Sequence, residues 1–214
     1  MGARESGVPG TGQQRLRPAP RGVEAGIPST VPARRGVTGE RLAPRVWTIG
    51  HSTRSLEQFL ELLEAHDIEA VADVRRFPGS RRWPHFAGEQ LAQALAARGV
   101  AYAWLPELGG RRQPRPDSPN TAWRSASFRG YADYMETEPF AEGLERLANL
   151  ACGLRSAVMC AEALWWRCHR GLIADALRWA GFDVHHIQGP SSVVPHPFTS
   201  AARLERGQLS YAPR

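Results

Sequence analysis

From residue 46 onward the chain repeats one pattern, in which a short apolar run is followed by a stretch whose apolar residues recur at helical spacing. The runs span 46–49, 68–74, 100–105, 156–160 and 182–187. After the first, Ser55 stands where an N-cap is wanted, Gln58 completes a capping box, and Leu56, Phe59, Leu60 and Leu63 fall at i, i+3, i+4 and i+7. After the second, Leu91, Ala94 and Leu95 form an apolar stripe that stops at Gly99. A Gly/Pro/Arg-rich loop over 109–120 leads into a helical region from about Phe128, whose later part starts at Pro139 and carries Phe140, Leu144 and Leu147 on one side. The span 168–180 is a further helix, with Leu172, Ile173, Ala176 and Leu177 inward and Gly181 as its stop. Strands that alternate with helices pair in parallel, so the expected fold is α/β: a mostly parallel sheet of about five strands flanked by helices.

Residues 1–45 carry eight Gly and six Pro without hydrophobic periodicity, too little apolar side chain to offset the entropy of ordering the chain. They are expected to be a disordered tail before a single domain over 46–214. Met1-Gly2-Ala3-Arg4-Glu5-Ser6 fits the loose N-myristoylation pattern, a match too short to argue from. No run of 18 apolar residues and no charged-then-apolar leader is present, so the expectation is a cytoplasmic protein with no membrane partner. Three cysteines in such a chain are expected to be reduced thiols.

The formal net charge of +6 belongs mostly to the tail: residues 1–45 hold eight Arg and three acids, which leaves 19 Arg and 18 acids for the remainder. Within the domain, residues 75–129 hold ten Arg against three acids, a basic stretch that offers either an anion-binding face or an ordinary surface laced with ion pairs.

In parallel sheets ligands bind beyond the carboxyl ends of the strands, where loops and helix N-termini converge. That rule groups residues distant in sequence. His51 and Ser52 follow the first strand, Asp73 and Arg75 close the second, and Cys160 and Glu162 close the fourth, with Cys168, His169 and Arg170 opening the next helix. Cys160 is the expected nucleophile or redox thiol, with His51 or His169 as its base and Asp73 and Glu162 as orienter or acid. Cys168 supplies a second thiol beside helix N–H groups. Ser52, Arg75, Arg76, Ser80, Arg129 and Arg170 are the candidate anion-binding residues. Cys160, Cys168, His169 and His51 are also zinc-ligand types, but neither C-x-x-C nor H-E-x-x-H spacing is present, so no metal ligand is assigned and the cofactor is unknown. Partners consistent with the basic residues are an anionic small molecule or a nucleic acid. The leading reading is an enzyme acting on an anionic substrate; a non-catalytic nucleic-acid-binding module and a metal-binding protein are the alternatives. Oligomeric state is not readable.

Five ordered motifs also resemble a family. They are 48–52 (Thr-Ile-Gly-His-Ser), 73–80 (Asp-Val-Arg-Arg-Phe-Pro-Gly-Ser), 105–110 (Leu-Pro-Glu-Leu-Gly-Gly), 128–135 (Phe-Arg-Gly-Tyr-Ala-Asp-Tyr-Met), and 159–162 with 168–170 (Met-Cys-Ala-Glu and Cys-His-Arg). Together they resemble the bacterial and archaeal family described as domain of unknown function 488, over about residues 46–211. The resemblance implies an α/β domain and marks the same motifs; a label of DNA repair attaches to some members.

Overall fold

The structure, a computed structural model, describes residues 43–79, 82–205 and 207–213. Most of the tail, with its myristoylation-like start, lies outside them, as does Ser80. Strand β1 (Arg45–Gly50) leads to α1 (Leu56–Ala65), then β2 (Ala70–Asp73), α2 (Gly88–Ala96) and β3 (Ala101–Trp104). Two helices in succession, α3 (Ala126–Tyr134) and α4 (Glu138–Gly153), precede β4 (Ser156–Cys160); α5 (Arg170–Trp179) and β5 (Asp183–Gly189) follow. The chain closes with β6 (Ser192–Pro195) and a separate hairpin of β7 (Arg203–Glu205) and β8 (Gln208–Ser210).

The six-stranded sheet runs β3-β2-β4-β1-β5-β6. Its first five strands are parallel and β6 is antiparallel on β5. The fold class is therefore the expected one, with a sixth strand added. Alternation along each strand feeds two cores. Trp47, Ile49, Val71 and Met159 pack under α1 and α2, whereas Val46, Ala72, Val158 and Val184 pack under α3, α4 and α5. Ser55 forms the reciprocal capping box with Gln58 at the start of α1, a contact that contributes about 1 kcal/mol in comparable helices.

This winding positions the site. The loop after β1 leaves toward α1 on one face and the loop after β4 leaves toward α5 on the other, although β1 and β4 are neighbours in register at Gly50 and Cys160. Adjacent strands whose loops diverge leave a crevice at their carboxyl ends. The ladder continues past the strands, His51 N to Cys160 O at 3.0 Å and Ser52 N to Ala161 O at 2.9 Å, so the two loops start stitched together. Gly50 makes that possible, since a Cβ there would lie 1.9 Å from Glu162 O.

Candidate functional site

The carboxyl ends of β2, β4 and β1 lie side by side and carry two polar groups, one from each face of the sheet. On the α1/α2 face Asp73 is fully buried and accepts from Arg75 Nε (2.9 Å to Oδ1), Arg75 Nη2 (2.6 Å to Oδ2), Arg75 N (3.0 Å) and the Tyr102 hydroxyl (2.7 Å). Every Asp73 oxygen is thus committed to holding Arg75, whose Nη1 donates to Phe86 O at 2.8 Å. His51 stacks on Phe86 with ring centroids 4.2 Å apart, and its Nε2 lies 3.5 Å from Arg75 Nη1. Burial first, and then the Arg75 charge, push its pKa down to about 4, so the ring is neutral near pH 7.

On the opposite face Cys160 Sγ, Cys168 Sγ and a His169 ring nitrogen lie within 4.8 Å of one another. The Cys160 and Cys168 sulfurs lie within 4.8 Å of each other, and Arg170 N, at the first turn of α5, donates to Cys168 Sγ at 3.5 Å. His169 Nε2 donates to Val74 O at 3.1 Å, which directs Nδ1 at Cys168 Sγ, 3.6 Å away. These contacts divide the two thiols. The Cys160 hydrogen bond, against burial and with help from His169 and Arg170, holds Cys168 well below the usual thiol range; the same bond and burial push Cys160 well above it. The direction of these shifts makes Cys168 the more acidic of the two thiols, where the sequence placed the emphasis on Cys160. The reason is positional: α5 begins at Arg170, so its backbone N–H groups reach Cys168, while Cys160 ends a buried strand.

Both thiols, with Glu162 and His169, open on a cavity of about 390 Å³ that Arg75 also reaches from the other face. Arg76, Arg111 and Arg167 line it as well, with Phe77, Phe128 and Tyr131 as apolar walls. The guanidinium groups of Arg111 and Arg167 have no partner among the described residues. Arg111 adopts a left-handed backbone, φ +61°, directly after Gly110, and a Cβ on Gly110 would lie 2.8 Å from His169 Nδ1. The 109–120 loop can approach the imidazole only because a glycine faces it. That loop is anchored from α3, where Asp133 accepts from Arg115 N, Ser118 Oγ and Asn120 Nδ2 and the Tyr131 hydroxyl donates to Leu108 O.

Other expected anion binders are used differently. Arg170 is buried and donates to Glu162 O, Ala163 O and Thr48 Oγ1, which fixes the loop beyond Cys160. Arg129 donates to Trp123 O, and Ser52, at φ +52°, contributes its backbone to the stitched loops. Neither lines the cavity. The basic stretch over 75–129 is interrupted by ion pairs, Arg98 with Glu57 and Arg115 with Glu136, each at 2.8 Å. Sequence reasoning did not single out Arg111, Arg167 or Phe128 for the site, although Arg111 lies in the basic stretch over 75–129 just after Gly109-Gly110 and Phe128 opens the motif over 128–135.

Cys160, Cys168 and His169 are the group among the described residues whose donor atoms could share a metal ion, and His51 is not part of it. No helix of the described residues is long and apolar enough to cross a membrane.

A family model described as "Domain of unknown function DUF488" matches residues 55–177. No curated protein and no solved structure matches.

Proposed function

This chain belongs to the DUF488 family, whose description assigns no activity, and from its own residues we propose that it is an enzyme that applies the Cys168 thiolate to a small anionic substrate. One observation carries the reading: a thiol at a helix N-terminus, hydrogen-bonded by a second thiol, faces a cavity into which two unpaired guanidinium groups reach. Cys168 is the nucleophile. Cys160 keeps it ionised, His169 accepts or returns a proton at 3.6 Å, and Glu162, exposed at the cavity, serves as a second acid or base. Arg111, Arg167 and Arg76 hold the anion, with Arg75 behind them, aligned by Asp73. A cavity of about 390 Å³ with both thiols in its lining suits a compact anion, which supports the enzyme over a non-catalytic binding module.

Alkylation tests it. At about pH 6 iodoacetate should modify Cys168 before Cys152, and faster than neutral iodoacetamide does, with inorganic phosphate protecting. Replacing Arg111 and Arg167 by Ala should erase the preference for the anionic reagent. First labelling at Cys152, or equal rates with both reagents, overturns the reading.

A second reading is favoured by the His169 Nε2 bond to Val74 O, the outer contact that orients a metal-bound imidazole. Cys160, Cys168 and His169 would then hold a soft divalent cation such as zinc, with an open position toward the cavity. Native mass spectrometry of protein purified without chelator would detect the added mass, and both thiols would resist alkylation until the metal was stripped.

A further inference from the structure

The two site thiols lie within 4.8 Å of each other and line the same cavity, a pairing that simple nucleophilic chemistry does not require. We propose that Cys168 and Cys160 form a redox pair, in which a hydroperoxide oxidises Cys168 and Cys160 closes a reversible disulfide that switches the site off. This rests on the proposed reading of Cys168 as the reactive thiol of the cavity, in front of the α5 N-terminus. Both sulfurs line the cavity while remaining almost wholly covered, Cys160 7% and Cys168 4% exposed, so a small oxidant reaches them and a bulky protein disulfide does not. They come from different elements, the end of β4 and the start of α5. The sulfurs start within 4.8 Å, so reaching the roughly 2.05 Å of a disulfide asks for a closure of under about 3 Å.

The chemistry balances with the hydroperoxide as sole oxidant. The Cys168 thiolate attacks the terminal oxygen, the O–O bond breaks, and the departing alkoxide takes a proton from solvent to leave as an alcohol. Cys168 is now a sulfenic acid. The Cys160 sulfur, already beside it, attacks the Cys168 sulfur; the S–O bond breaks, the Cys160 proton joins the departing hydroxide, and water leaves. Two thiol-level sulfurs are oxidised to one disulfide and the peroxide is reduced to alcohol and water.

The full reduced chain, treated with hydrogen peroxide, tests this. Trypsin cuts after Arg155, Arg167 and Arg170, so the two cysteines fall on different peptides. The expected product joins peptide 156–167 to 168–170, leaves Cys152 alkylatable, and lowers iodoacetate labelling of Cys168 roughly tenfold or more until dithiothreitol restores it. In Cys160→Ser the sulfenic acid on Cys168 should persist and be trapped by dimedone. If wild-type Cys168 proceeds to sulfinic acid with Cys160 still alkylatable, or if wild type and Cys160→Ser give the same product, the pair is refuted. A native mass showing a metal on both thiols also refutes it. The iodoacetate preference reports separately: preference without disulfide sinks the redox pair alone, and disulfide without preference sinks the anionic substrate alone.

Discussion

Asp73 looks in sequence like an acid–base residue, yet its environment removes it from that role. With no exposed surface, two donors on Oδ1 and three on Oδ2, it accepts no further proton donor and serves to aim Arg75. Breaking a buried ion pair costs more than the pair contributes, because the surviving charge is stranded. Asp73→Asn should therefore lower stability in urea by about 3–5 kcal/mol. Tyr102→Phe, which removes one bond and leaves the pair intact, should cost about 1 kcal/mol and leave Cys168 alkylation unchanged. Equal losses for the two variants would show that Arg75 does not depend on the carboxylate charge. The same accounting separates the cysteines. Asp73 and Cys160 are the residues to which sequence position gave the wrong emphasis, because order along the chain says which residue ends a strand but not which neighbour donates to it.

At the scale of elements, the parallel strands were legible because strands buried on both faces read as continuous apolar runs, as Ala157-Val158-Met159 does. The antiparallel β6 was not, since it is a four-residue edge strand that starts at Ser192 and ends at Pro195. The helix expected over 168–180 starts two residues later, at Arg170, and that offset is what leaves Cys168 in front of the N-terminus. The cavity's arginines were hidden for a different reason. Arg111 belongs to a loop whose place is set by Asp133, more than twenty residues on, through hydrogen bonds that no local pattern announces. The glycine beside it gives a prediction at this scale. His169 is pinned by the Val74 carbonyl and cannot easily yield, so Gly110→Ala should displace the imidazole from Cys168. The expected outcome is slower alkylation of Cys168 with its pH midpoint raised and the cooperative unfolding retained; an unchanged midpoint would mean that the loop gives way instead.

Across the whole molecule a single line of hydrogen bonds joins the C-terminal segment to the site. Asp175 accepts from His196 Nε2 (3.0 Å), Thr199 N and Oγ1, and the Tyr211 hydroxyl, and His196 Nδ1 shares a proton with His186 Nε2 at 2.9 Å. His186 Nδ1 and Thr48 Oγ1 are hydrogen-bonded at 2.7 Å, and Thr48 accepts from Arg170 Nη1 at 3.3 Å. The line runs from the Arg170 guanidinium to the Asp175 carboxylate with His186 between two partners, one on each ring nitrogen. Burial, followed by the His196 and Arg170 charges, pushes His186 down to about 2, and burial followed by Arg75 takes His51 to about 4. The sign follows from where the protons go. Both folded pKa values lie below the unfolded value of about 6.5, so below that pH the unfolded chain binds protons that the folded chain refuses. The stability due to these neutral histidines is therefore whole above about pH 6.5 and falls as the pH drops. The His51 share stops changing near pH 4, where its folded form also charges, while the His186 share goes on falling. Urea midpoints measured from about pH 7.5 to 4.5 should decline steadily, and His51→Gln should make the slope shallower. A midpoint flat through that range would mean that the buried histidines accept protons in place, and that burial does not hold His51 and His186 neutral.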